Sequence, residues 1–177
     1  MKKGLVVIWF LSVGISSAAQ VYQTKAGTIL ASGRYKGAAV KAVSNRLFMH
    51  LNYDKAEMHL RLMIPSLSTE NDSLNKVLHT LEGRELFFYG KLNIVFVQTR
   101  SHPKQKFSTT GTLTINHIDR PFSFSALLEH FPRGSFSCVL SGEFVLNLPD
   151  FDIVTNPDEN KIKVNFSQLI LRRFSEQ

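Results

Sequence analysis

Cysteine is almost absent: Cys138 is the only one in 177 residues. That excludes an intramolecular disulfide framework and any cysteine-rich zinc site. There is no Pro-rich or Gly/Ser-rich linker, no internal repeat and no low-complexity run, so nothing divides the chain into two domains. Charged residues make up only 20% of the chain. The net charge of +7 includes Lys2 and Lys3, and the rest is scattered, without the clustered basic face that nucleic acid requires. Hydrophobic residues, at 44%, are enough to bury a core and exclude a disordered protein. Phenylalanine is what the chain has in excess, with 14 against one tryptophan and four tyrosines.

Lys2 and Lys3 precede an apolar run from Leu5 to Val13, followed by Gly14, Ser16, Ser17, Ala18 and Ala19. This is the order of a secretory signal peptide over residues 1–19, with cleavage expected between Ala19 and Gln20. The apolar run is about half of what a membrane span needs. An uncleaved anchor is the rival reading. No cysteine follows the run, which excludes a lipid-modified N-terminus. The expectation is a periplasmic or secreted protein with one domain over residues 20–177.

Period-two alternation dominates that domain, the mark of strands with one buried face. Leu47, Met49, Leu51 and Tyr53 alternate with polar or outward positions, as do Met58, Leu60 and Leu62. A turn at Asp54-Lys55 sets Leu51 against Met58 and Met49 against Leu60, so both apolar sets share one face. Leu86, Phe88, Leu92, Ile94 and Phe96 read as one long strand. Further sets are Leu113 and Ile115; Phe122, Phe124, Ala126 and Leu128; Phe136, Cys138, Leu140, Phe144, Leu146 and Leu148; and Ile162, Val164, Phe166 and Ile170. Shorter candidates are Thr28 to Ala31 and Ala38 to Val43. Cys138, between Phe136 and Leu140, reads as a buried, inert thiol.

One segment departs from this pattern. Leu74, Val77, Leu78 and Leu81 recur at helical spacing, with Thr69 or Asn71 as cap and Gly83 as stop. The chain is therefore all-β: an antiparallel barrel of about eight strands with one short helix. Long strands and large aromatics favour the barrel over a thin sandwich, and closure removes exposed edges.

At Gly111-Thr-Leu-Thr-Ile-Asn-His-Ile-Asp-Arg-Pro121 the sequence resembles the YceI-like family, exported lipocalin-like barrels associated with polyisoprenoid and other lipid-like ligands. The family signature is Gly-x-Leu-Thr-Ile-His-Gly-x-Thr-Lys-Pro. Gly111, Leu113, Thr114, Ile115 and Pro121 match it, and Arg120 keeps the basic residue. Lys41 to Leu47, Ser66 to Thr69, Tyr89-Gly90 and Phe144 to Phe151 fall in compatible places. Asn116-His117 stands in place of His-Gly, and Asp119 replaces the threonine.

The resemblance implies a non-enzymatic carrier or store for an isoprenoid, a quinone or a similar apolar chain, with no resident cofactor. The residues expected to converge on its cavity are Met49, Leu51, Met58, Leu60, Leu62, Phe88, Phe96, Leu113, Ile115, Phe122, Phe124, Phe136, Phe144 and Phe166. Burial of each CH₂ of a ligand is worth about 0.8 kcal/mol, and thioethers and flat rings adapt to a flexible tail. The alternative is that these side chains fill the barrel themselves, leaving an envelope structural or interaction module.

Other chemistry is weakly signalled. His50 facing His59 could hold a divalent metal, but a structural zinc site takes four ligands, so no metal is assigned. His79, His102, His117 and His130 show no ligand spacing. Ser73-Leu-Asn-Lys76 is a formal S-x-x-K without its partner motifs. Asp150, Asp152, Asn156, Asp158 and Glu159 lack the glycine and terminal glutamate of a calcium loop and read as a solvated connection. Arg100, Lys104 and Lys106 form the densest basic stretch, suited to peripheral contact with an anionic membrane or to a solvated hairpin tip.

Overall fold

Met49 pairs with Leu60 and Leu51 with Met58, the register that the two apolar sets require. The side-chain carbonyl of Asn52 accepts hydrogen bonds from the backbone N–H groups of Asp54 and Lys55, which shapes the intervening turn. In the computed structural model, residues 21–81, 83–153 and 156–172 are described. The signal-peptide reading and its cleavage site lie outside them.

The elements in order are β1 (Val21–Tyr35), β2 (Ala38–Asn52), β3 (Glu57–Met63), β4 (Ser68–Thr69), α1 (Asp72–Thr80), β5 (Glu85–Leu92), β6 (Gln105–Ile115), β7 (Ile118–Arg133), β8 (Phe136–Asn147) and β9 (Lys161–Leu171). All ladders are antiparallel, and β1 pairs with both β2 and β9. This closes an eight-stranded barrel; β4 is only a two-residue addition beside β2. Inward residues of successive strands form one continuous apolar core.

Two-residue turns set the register of two long hairpins. Tyr35 pairs with Ala38 around Lys36-Gly37, and Ile115 with Ile118 around Asn116-His117. Both residues of each turn have positive φ, 51° and 78° in the first and 52° and 62° in the second. Such turns match the right-handed twist of the strands they join. The helix starts where Asn71 accepts from the Leu74 N–H at 2.9 Å, and Gly83 follows its end with φ 78°.

Three elements differ from the sequence expectation. β1 and β2 each run for 15 residues rather than forming short strands. Bulges on either side of Gly27 shift the alternation of β1, so its true length is hidden. β5 ends at Leu92, because the chain then turns: Leu92 N–H bonds to Ala56 O, and Val97 N–H to Tyr53 O at 2.7 Å. Val97 is fully buried and Phe96 is 48% exposed, so Phe96 lies outside the interior where the alternation put it.

The acidic connection is also less solvated than expected. Glu159 is buried and accepts the Gly37 N–H at 2.9 Å, tying the β8–β9 connection to the β1–β2 turn. The basic stretch from Arg100 belongs to a connection, residues 93–104, that folds over one end of the barrel. There Val97 and Thr99 are fully buried and Lys104 pairs with Glu129 at 2.8 Å. Its apolar part covers that end, while Arg100, Lys104 and Lys106 themselves stay exposed to solvent.

Candidate functional site

Five phenylalanines from four strands meet inside the barrel. The Phe124 ring lies 5.2 Å from Phe88, 6.3 Å from Phe122, 5.5 Å from Phe144 and 5.7 Å from Phe166, centroid to centroid. Phe122 and Phe144 meet edge to face at 5.3 Å. Such tilted and edge-to-face contacts add to the gain from area burial alone.

Glycines make this cluster possible. Gly90 and Gly111 face each other across β5 and β6, and the Phe88 ring occupies the space their side chains would take. Gly142 does the same for Phe166, its partner across β8 and β9. The first glycine of the Gly111–Pro121 motif is thus a requirement of close packing.

The rings, with Ile29, Leu47, Leu60, Leu86 and Leu113, enclose a wholly apolar void of about 10 Å³. That is room for roughly one water-sized sphere. Phe88, Phe124 and Phe166 are buried, whereas Phe122 and Phe144 keep partial contact with solvent. These two rings form the side of the enclosure nearest solvent. A larger depression of about 700 Å³ lies open to solvent along β6 to β9. Lys106, Ser108, Ser125 and Glu143 make it partly polar, so it lacks the apolar character of the interior.

Of the expected cavity residues, Leu60, Phe88, Leu113, Phe122, Phe124, Phe144 and Phe166 line the void. Met49, Leu51, Met58, Leu62 and Ile115 are buried in the same core without reaching it. Phe96 is displaced by the bend after β5. Phe136 is only partly buried and outside the core, because the bulge between it and Cys138 breaks the alternation of β8. The sequence places Leu47 and Leu86 on apolar strand faces and Ile29 only within the short strand Thr28 to Ala31, and assigns none of the three to the cavity.

Two polar atoms are buried in the barrel without lining the void. Thr109 Oγ1 and Gln168 Oε1 are buried without a hydrogen-bond partner among the described residues. Thr109 lies opposite Phe124 in the β6–β7 ladder. A buried hydroxyl left unsatisfied costs about 1–3 kcal/mol.

Ser73 and Lys76 are exposed on α1, outside both concavities. His50 and His59 do face each other on the outer surface, with ring centroids 4.9 Å apart. Burial, then the His50 imidazole, lower the His59 pKa from its ordinary 6.5, and Glu57 raises it by a lesser amount. Cys138 is fully buried, as expected, but it is not surrounded by hydrocarbon alone: His102 Nε2 lies 3.5 Å from its Sγ.

Solved structures share this architecture. A polyisoprenoid-binding domain from Saccharophagus degradans, implicated in plant cell wall breakdown, superposes with a TM-score of 0.69 at 10% identity, covering 88% of this chain and 100% of that one. BcnA of Burkholderia cenocepacia gives a TM-score of 0.63 at 10% identity over 81% of this chain and 96% of its own. The Campylobacter jejuni YceI protein gives 0.53 at 17% identity over 98% and 99%. No curated protein matches the sequence. At such identities the structures speak for the fold; kinship comes from the YceI-like domain model, which matches residues 17–168, so the chain belongs to the YceI-like family.

Proposed function

We propose that this protein is an exported, non-enzymatic lipid-binding barrel that holds an isoprenoid or similar apolar chain for carriage or storage in the cell envelope. The observation that carries the reading is the cluster of phenylalanines around a wholly apolar void, two of whose rings retain contact with solvent. Family membership and the polyisoprenoid-binding relative support it.

Energetics allow a chain to replace those rings. Moving Phe122 and Phe144 into water forfeits about 1.5–3 kcal/mol each. Each five-carbon isoprene unit brings about 4 kcal/mol at 0.8 kcal/mol per buried carbon. One or two units offset the displaced rings, and longer chains gain further. The buried Thr109 hydroxyl offers a ligand with a hydroxyl or carbonyl end one hydrogen bond. Exposed basic residues of the β5–β6 connection would supply electrostatic attraction to an anionic membrane.

A second reading rests on the size of the void. At about 10 Å³ the barrel is filled by its own side chains, which fits an envelope structural or interaction module without a small ligand. Organic extraction of the purified mature protein, expressed with its signal peptide, followed by mass spectrometry, separates the two. A stoichiometric isoprenoid or quinone, lost when Phe124 or Leu60 is replaced by Arg in a folded variant, establishes carriage. An empty protein that refuses a panel of isoprenoids establishes the filled module.

A further inference from the structure

A second group of chemically capable side chains lies at the other end of the barrel. The β7–β8 hairpin turns at Gly134, which has φ 57°, and this sets His130 directly opposite Cys138. His102 arrives from the β5–β6 connection. That connection is fastened to β8 by the Ser137 hydroxyl, which donates to the Thr99 carbonyl, and by the Cys138 thiol, which lies 3.4 Å from the Gln98 carbonyl. One potential ligand atom from each of His102, His130 and Cys138 lies within 4.8 Å of the other two. Among the described residues this is the one group of three or more such side chains drawn together.

The surroundings prepare the group for an ion. His102 Nδ1 lies 2.6 Å from the Pro103 carbonyl, an acceptor, so Nδ1 carries the proton. Its Nε2 lone pair is then available, 3.5 Å from Cys138 Sγ. A backbone carbonyl holding the outer nitrogen is the usual arrangement behind a metal-ligating histidine. Zinc bonds of about 2.0–2.1 Å to nitrogen and about 2.3 Å to sulfur, at a tetrahedral angle, separate the two ligand atoms by roughly 3.6 Å. His130 Nδ1 is buried without a hydrogen-bond partner among the described residues. Cys138 is fully buried while both imidazoles are partly exposed, which leaves a path for an ion from the solvent side.

We propose that His102, His130 and Cys138 bind one thiophilic transition-metal ion of the zinc class. Two imidazoles and a thiolate suit such an ion, and three protein ligands leave a fourth position for water or another ligand. On binding, the sulfur–metal bond forms as the S–H bond breaks, and the proton leaves to solvent. Phe124 and His130 are six residues apart on β7, roughly 20 Å at 3.3 Å per residue. The site is therefore separate from the aromatic interior and does not depend on lipid binding.

The test titrates the untagged protein with Zn²⁺ alone against a chelating dye, and with Co²⁺ as a spectroscopic probe. The wild type is expected to take up one equivalent of zinc, to gain thermal stability with it, and to show a thiolate-to-cobalt charge-transfer band. His102→Ala alters a partly exposed connection, so it tests the site without disturbing the core; it should weaken zinc binding by at least about tenfold. Cys138→Ser should abolish the charge-transfer band, and the double variant His50→Ala/His59→Ala should retain full binding. The proposal is overturned if the wild type takes up no zinc. Unchanged binding in both His102→Ala and His130→Ala, or loss of binding only in the His50/His59 double variant, overturns it equally.

Discussion

The ring of Phe166 lies over the α-carbon of Gly142, its partner on the neighbouring strand. A β-carbon there would press into that ring and come within 3.0 Å of Phe124. Gly142→Ala should therefore cost about 1–3 kcal/mol, the range for overpacking. At Gly111 the β-carbon would meet the Tyr89 carbonyl and the Gly90 α-carbon, which cannot rotate away as a side chain can. Chemical denaturation should rank Gly111→Ala as more destabilising than Gly142→Ala. Equal stability of wild type and Gly111→Ala would refute this account of the motif.

The β6–β7 turn carries a histidine where its backbone favours glycine. His117 has φ 62°. A left-handed conformation costs an L-residue about 1–2 kcal/mol, while glycine loses about 0.5–1 kcal/mol in extra chain entropy. His117→Gly should raise stability by about 0.5–1 kcal/mol, read as a melting temperature a few degrees higher. A drop on this substitution would mean that the imidazole makes a contribution the turn geometry does not explain.

His59 gives a pH dependence whose sign is fixed. Its pKa is lower folded than unfolded, mainly through burial and secondarily through His50 on the adjacent strand; Glu57 acts in the opposite direction, and the Tyr89 ring faces it from β5. Between 6.5 and the lower folded value the unfolded chain binds more protons, so this stabilising contribution is present above pH 6.5 and lost as pH falls. NMR titration should place His59 below its ordinary value. In His50→Ala the pKa should rise yet remain below 6.5, because burial is the larger cause. No change in that variant would remove His50 from the explanation.

The parts of this fold legible in sequence are those where one local rule acts alone. The β2–β3 register follows from Met49, Leu51, Met58 and Leu60 sharing a face, and α1 from its spacing and the Asn71 cap. β1 was obscured because the bulges beside Gly27 reset its parity. Phe96 continued a perfect alternation, but the bond from Val97 to Tyr53 turns the chain first. The aromatic interior was legible as composition and parity; its filling to about 10 Å³ was not, since packing density depends on all side chains at once. His102 and Cys138 are 36 residues apart and meet only because a connection crosses the barrel end. His130 and Cys138 carried a fainter signal, their equal spacing about Gly134.

The central claim is that the rings of Phe122 and Phe144 yield to an apolar chain. Native mass spectrometry of the delipidated protein, titrated with isoprenoid alcohols of increasing length, tests it directly. One chain should bind per barrel, more tightly with each added unit until the interior is full. Phe122→Ala/Phe144→Ala should bind more tightly, because no ring then has to be displaced. Absence of binding at every length, in the wild type and in the folded double variant, would contradict the account and leave a barrel that its own side chains permanently fill.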